Sequence, residues 1–300
     1  MKKPDAILCS DFHLREDTPV CRTDNFWETQ WQKVDFVSDL QKQYDCPVLH
    51  AGDLFNHWKP SPYVLSSTMK HLPDKFYTIY GQHDLPQHNL ELKHKSGVYV
   101  LQMANKINQY QDGKFWLGLF PFNLVFSNWG IIPNGRDATG IINVLIWHNF
   151  TYVGKEPFPG ATGKAHALLE KYKQFDLIVT GDNHQSFTLR GISNNLLVNP
   201  GSLTRQDADQ IDFQPKVYLW YAEDNSVEAV NIPIEKDAVS REHIEVKQEH
   251  YRKMEAYISK MDDSWELTVD FDENLDRFFN TNRVRKQVKE IVYKAKEEVK

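Results

Sequence analysis

Five short stretches carry the side chains best suited to holding a cation or moving a proton. Asp11 and His13 lie in ILCSDFH, Asp53 in LHAGDLF, Gln82, His83 and Asp84 in GQHD, His148 in LIWH, and Asp182 with His184 in LIVTGDNH. Each closes or follows an apolar run that reads as a strand. One His or Asp at a strand end is explained by turn chemistry, because such residues hydrogen-bond their own backbone there. Successive strand exits bearing carboxylate, amide or imidazole groups point further. In open α/β sheets binding crevices form beyond the carboxyl ends of strands, so these side chains are expected to converge. Asp, His and amide oxygen suit hard or borderline divalent ions such as manganese or iron, rather than a structural zinc held by thiolates. Two such ions can activate a water and clamp the oxygens that gain charge at a phosphorus. A neighbouring imidazole, with a reference pKa near neutrality, can donate to a departing oxygen.

The elements that must position these groups alternate. AILCS is followed by a helix from about Asp24 to Gln43, then PVLHAG, a helix opened by Ser61-Pro62, and FYTIYG. This alternation predicts a sheet covered by helices. Trp27, Trp31, Val34, Val37 and Leu40 keep helical spacing, as do Ala165, Leu168, Leu169, Tyr172 and Phe175, and both stripes are expected to face a core. FWLGLFPF, NVLIWHN, DLIVTGD, NLLVNPGS, KVYLWYAE and VEAVNIPI read as further strands. Several have no helix between them, which suits two stacked sheets.

With 300 residues, 41% hydrophobic and 13% aromatic, the chain suits one large domain, or one plus a small appendage. Cys9, Cys21 and Cys46 form no CxxC pair, so neither a disulfide framework nor a thiolate zinc site is expected. A net charge of -6 argues against indiscriminate coating of nucleic acid. It leaves room for a nucleic-acid enzyme in which metal ions supply the local positive charge. No apolar run approaches the roughly 20 residues of a membrane span, and the start lacks a signal-peptide core, so a cytoplasmic protein with no membrane contact is expected. A boundary is placed near residue 225: a main domain over 1–225 and a charged, helix-leaning segment over 226–300. In its last part Val284, Val288, Ile291, Val292, Ala295 and Val299 trace one apolar face, suited either to docking on its own domain or to binding a partner.

The series DFH, GDLF, GQHD, His148 and GDNH resembles the signature of the calcineurin-like metallophosphoesterase superfamily, over roughly residues 6 to 202. Within it, GDLFNHWKPSP and NPGSLTR are similar to the SbcD-type nuclease subunits of double-strand-break repair, and the small size is similar to phage-encoded members. The resemblance implies an α/β fold, a four-layer α-β-β-α sandwich, here with a small C-terminal helical extension. It implies two divalent metal ions, manganese first, with magnesium or iron as alternatives. Asp11, His13 and His184 would hold one ion and Gln82, His148 and Asp182 the other, with Asp53 bridging. His83 would protonate the leaving oxygen and Asp84 would orient its imidazole. Asn56 or His57 would help seat the substrate.

Two positions depart from the usual signature: Gln82 stands for Asn, and Asp182 for the first His of G-H-x-H. Both fall on the second metal, where a further carboxylate favours a harder ion and a weaker second site is expected. By the same resemblance the partners would be DNA and an SbcC-like SMC-type ATPase, and a homodimer is among the assemblies it allows. The alternatives are a small-molecule phosphodiesterase of the same superfamily and a degenerate phosphoesterase scaffold.

Overall fold

Strand β1, Ala6–Cys9, is buried along its whole length. Ala6 and Leu8 join one apolar cluster, Ile7 and Cys9 another. A strand apolar on both faces must be covered on both, and that requirement sets the architecture. The computed structural model describes residues 2–109, 122–133, 142–261 and 271–297.

Helix α1, Phe26–Tyr44, starts where the Asn25 side chain accepts from the Glu28 amide. It leads to β2, Val48–His50. Helix α2, Pro62–His71, is capped by Ser61, with proline at its first position, where the missing N–H costs nothing. Strand β3, Phe76–Thr78, helix α3, Gly97–Met103, and β4, Asn108–Gln109, complete the first run. Then come β5, Phe122–Ser127, β6, Ile142–Trp147, α4, Ala165–Lys171, β7, Leu177–Thr180, β8, Phe187–Arg190, and β9, Leu196–Asn199. Strands β10, Lys216–Tyr221, and β11, Ser226–Asn231, form a hairpin.

The strands make two sheets, ordered β11-β10-β1-β2-β3-β4 and β5-β6-β7-β9-β8. Strands β1 to β4 run parallel, as do β5, β6, β7 and β9. Leu8 and Leu49 of the first sheet, with Ile79 just after β3, pack with Phe126, Ile146 and Val179 from the second. On the outer face of the first sheet Val34, Val37, Val64 and Val98 of the helices close over Ile7, Val48 and Phe76. On the second, Leu168 and Leu169 of α4 close over Leu145, Ile178 and Leu197. The result is the expected four-layer α-β-β-α sandwich.

Several details differ from expectation. Most of FWLGLFPF lies outside the described residues, and Phe122 instead opens β5. The sequence carries little sign of β8, a short edge strand with alternating exposure. Trp27 packs against the core beneath α1 but is only half-buried, its ring also stacking on Tyr63 at 4.4 Å. The boundary expected at residue 225 falls between two strands that pair along their full length, so the first compact unit runs on to His243.

The second unit, residues 244–300, holds most of α5, Glu242–Met261, and all of α6, Phe271–Thr281, and α7, Lys286–Glu297. Phe279 meets the Tyr293 ring at 5.4 Å, and Lys296 pairs with Asp272 at 2.6 Å. Val288 and Ile291 of the anticipated apolar face are exposed; Val299 lies outside the described residues. Among the described residues no helix is long and apolar enough to cross a membrane.

Candidate active site

The groups singled out in the sequence leave their strands through tight, unusual backbone. Asp11, His13, Asp53 and Asp182 all have left-handed φ, at 51°, 45°, 56° and 73°. For a non-glycine residue this costs about 1 kcal/mol or more, and it persists where surrounding structure enforces it. Backbone bonds do so here: Asp11 N–H to Gly52 O and His13 N–H to Asp53 O, both 3.1 Å, and Leu203 N–H to Asp11 O at 3.1 Å. Between them Gly52 has φ +93°, and a Cβ there would sit 2.6 Å from the His148 Nδ1. Only glycine lets this imidazole approach so closely.

These exits bring the predicted ligands together. His13 Nε2 lies 3.8 Å from Asp11 Oδ1, 3.7 Å from Asp53 Oδ2 and 3.1 Å from His184 Nε2. His148 Nε2 is 3.4 Å from Asp53 Oδ2 and 2.7 Å from Gln82 Oε1, while its Nδ1–H donates to Ala51 O at 2.6 Å. The two residues that depart from the signature touch each other, since the Gln82 amide donates to Asp182 Oδ1. The longer arm of Gln82 thus reaches the carboxylate that stands where an imidazole is usual. The Asp182 N–H is shared by both Asp11 oxygens, at 3.0 and 3.2 Å.

The electrostatics fit cations. Asp53 Oδ2, facing the cluster, is buried and has no hydrogen-bond partner among the described residues, an expense few proteins leave uncompensated. Burial drives the His13 imidazole down to about 3, so it offers a lone pair. Burial also raises the Asp53 carboxyl, but His148 and the other imidazoles outweigh it and hold the group well below the usual range. His148 shows the reverse balance: burial disfavours its charge, yet Asp53, Asp11 and Asp182 raise it to about 10. Such a carboxylate-imidazole nest attracts positive charge, which divalent ions supply better than protons. Asp11, His13 and His184, and likewise Asp11, Asp53 and His148, each offer ligand atoms within 4.8 Å of one another.

The proton-transfer candidates need one correction. His83 is exposed at the mouth, and its Nδ1 faces the Asn56 carbonyl at 3.0 Å, not Asp84. Asp84 is fully buried and accepts from three backbone amides, Leu54 at 3.2 Å, Phe55 at 3.0 Å and Gly81 at 3.1 Å. The carboxylate cannot serve the ring because it is spent on clamping the loops that carry Asp53 and Gln82. Asn56 lines a cavity of about 180 Å3 together with His13, His83 and His184. His57 does not line that cavity; its Nδ1 accepts from the Lys59 amide at 3.2 Å.

Sequence reasoning missed two neighbours. Asp207 lies 3.8 Å from His184 Nδ1, and the Gln206 amide donates to the His13 carbonyl at 3.1 Å. Both follow directly on NPGSLTR, whose position beside the ligands was the only available signal.

Fold and site together define a metal-dependent phosphoester hydrolase. Residues 6–186 match the family model described as calcineurin-like phosphoesterase, and the chain belongs to that family. A comparison with curated proteins found no match. Among solved structures, the protein TT1561 of Thermus thermophilus shares 9% identity at a TM-score of 0.49, over 77% of this chain and 100% of that one. A dimetal phosphatase from Danio rerio shares 10% at 0.47, over 77% and 100%. A putative 5'-nucleotidase from Staphylococcus aureus shares 15% at 0.46, over 82% of this chain and 58% of that one.

Proposed function

We propose that the chain is a manganese-dependent DNA nuclease, with exonuclease and endonuclease activity, working in the cytoplasm beside an SbcC-like SMC-type ATPase. The observation that carries the reading is His83, an exposed imidazole seated by a carbonyl of GDLFN at the edge of the ligand cluster. The two stretches similar to SbcD-type subunits both build this site. GDLFNHWKPSP supplies Asp53 and Asn56; NPGSLTR supplies Leu203, bonded to Asp11, and Ser202 and Thr204, which line the cavity. The exposed apolar residues Phe271, Val288 and Ile291 of the C-terminal helices suit a partner protein or a second copy of the chain.

Asp11, His13 and His184 would hold one cation, Gln82, His148 and Asp182 the other, with Asp53 between them. Two such ions supply an activated water and neutralise charge gained by the phosphoryl oxygens. The protein's own groups do the rest. The Asn56 carbonyl accepts from Nδ1–H of His83, which leaves Nε2 to give a proton to the departing oxygen. The Ala51 carbonyl fixes the His148 tautomer in the same way, keeping Nε2 toward Asp53.

A second reading, a small-molecule phosphodiesterase, is favoured by one observation. Arg15 is the one Lys or Arg among the described residues lining the cavity, and its guanidinium forks onto Asp17. Manganese-dependent digestion of end-labelled duplex and hairpin DNA, with and without the ATPase, separates the two. No cleavage of any end type removes the nuclease reading; failure of duplex DNA to compete with turnover of bis(p-nitrophenyl) phosphate supports the second.

A further inference from the structure

Away from the active site, three cations are buried together: Arg22 at 8% exposure, Lys33 at 4% and Arg205 at 2%. Burying like charges costs several kcal/mol per ion unless partners compensate. The arginines are provided for. Arg22 forks onto Asp24 at 2.8 and 2.5 Å and donates to Arg205 O at 3.0 Å; Arg205 donates to Ile211 O at 2.8 Å and to Glu235 O. Asp24 is then committed, because it also accepts from Thr29 at 2.6 Å.

Lys33 is not provided for. Its ammonium has three N–H groups, and its one hydrogen-bond partner among the described residues is the Pro233 carbonyl at 2.9 Å. Beside it lies a cavity of about 270 Å3 between α1 and the segment after β11. Phe36, Ile232 and Ile234 give its walls an apolar character; Gln32 and Glu235 are exposed residues that also line it.

We propose that this cavity is a binding site for a small organic monocarboxylate, whose carboxylate accepts from the free N–H groups of Lys33 and whose short apolar body packs on Phe36, Ile232 and Ile234. The Arg22 and Arg205 charges favour an anion, while the Glu235 carboxylate disfavours a dianion. The volume suits a chain of a few carbons. Burial, reinforced by Arg22 and Arg205, lowers the Lys33 ammonium to about 8 against the opposing pull of Asp24 and Glu235.

The test uses the full-length, manganese-loaded chain and sodium butyrate, with sodium chloride at equal ionic strength as reference. Thermal unfolding should shift upward with butyrate, by about 3–5 °C at ten times its dissociation constant. Lys33→Met should abolish the shift while leaving the metal site intact. Because that variant can fail to fold, lysine-selective nitrogen NMR of the wild-type chain gives a second readout: butyrate should move one exchange-protected ammonium resonance. No shift by either method, or an equal thermal shift in Lys33→Met, overturns the assignment.

Discussion

Asp84→Asn tests whether this residue serves the backbone or the chemistry. Its oxygens accept three buried amides, two on Oδ2 and one on Oδ1. An asparagine can keep the oxygen toward Leu54 and Gly81, but its NH2 then meets the Phe55 N–H donor to donor. One buried amide loses its partner, a cost of about 1–3 kcal/mol. The lower part of that range applies to the metal-free protein, where burial and then the Asp53 charge raise the Asp84 carboxyl to about 7, so an uncharged replacement sacrifices less. A loss of that size lowers the melting temperature of a unit this large by about 2–10 °C. Manganese affinity should fall in parallel, since the loosened loops carry Asp53 and Gln82. Turnover at saturating manganese should fall less than about tenfold, because His83 rests on Asn56 instead. Calorimetric unfolding, metal titration and kinetics on a diester with an alkoxide leaving group, whose departure needs the proton, read the three quantities. An unchanged melting temperature with turnover reduced about a hundredfold or more would refute the reasoning and restore the His83-orienting role.

Three further outcomes are expected. In Asp53→Asn the amide oxygen still accepts from the His83 N–H, now at 2.9 Å, so the fold survives, but manganese bound per chain, measured by native mass spectrometry, should fall by half or more. His83→Ala should cut turnover about 10²–10⁴-fold for diesters with alkoxide leaving groups. It should do far less for p-nitrophenyl esters, whose leaving group needs no proton, while metal content stays constant; equal losses on both would deny a proton-donor role. His50 is fully buried, and burial lowers it to about 3 from 6.5. The unfolded chain therefore takes up the proton first. The contribution is full above pH 6.5 and is lost toward pH 3, with a slope of up to about 1.4 kcal/mol per pH unit. Urea unfolding of wild type and His50→Gln across that window should differ by this slope.

The strand exits were legible because apolar runs ending in Asp or His repeat along the chain, and residue type there limits which ions fit. The caps of α1 and α2 at Asn25 and Ser61 could likewise be anticipated from local chemistry. Strand β8 escaped notice because an edge strand need not be apolar on both faces. The end of the first unit was misplaced because pairing of β10 with β11 overrides a shift in composition.

Residue identity by itself determined the donor set, carboxylate, amide and imidazole without thiolate, in an order that pointed to the family and to divalent ions. Only the tertiary structure decided how those groups divide their work. Asp84 and His83 are adjacent in sequence, yet one side chain turns into the core and the other toward solvent, so their partners come from distant loops. Gln82 and Asp182, far apart in the chain, meet because parallel strands of two stacked sheets deliver their ends to one place. Contacts of that kind depend on how layers pack, which no local pattern of residues encodes.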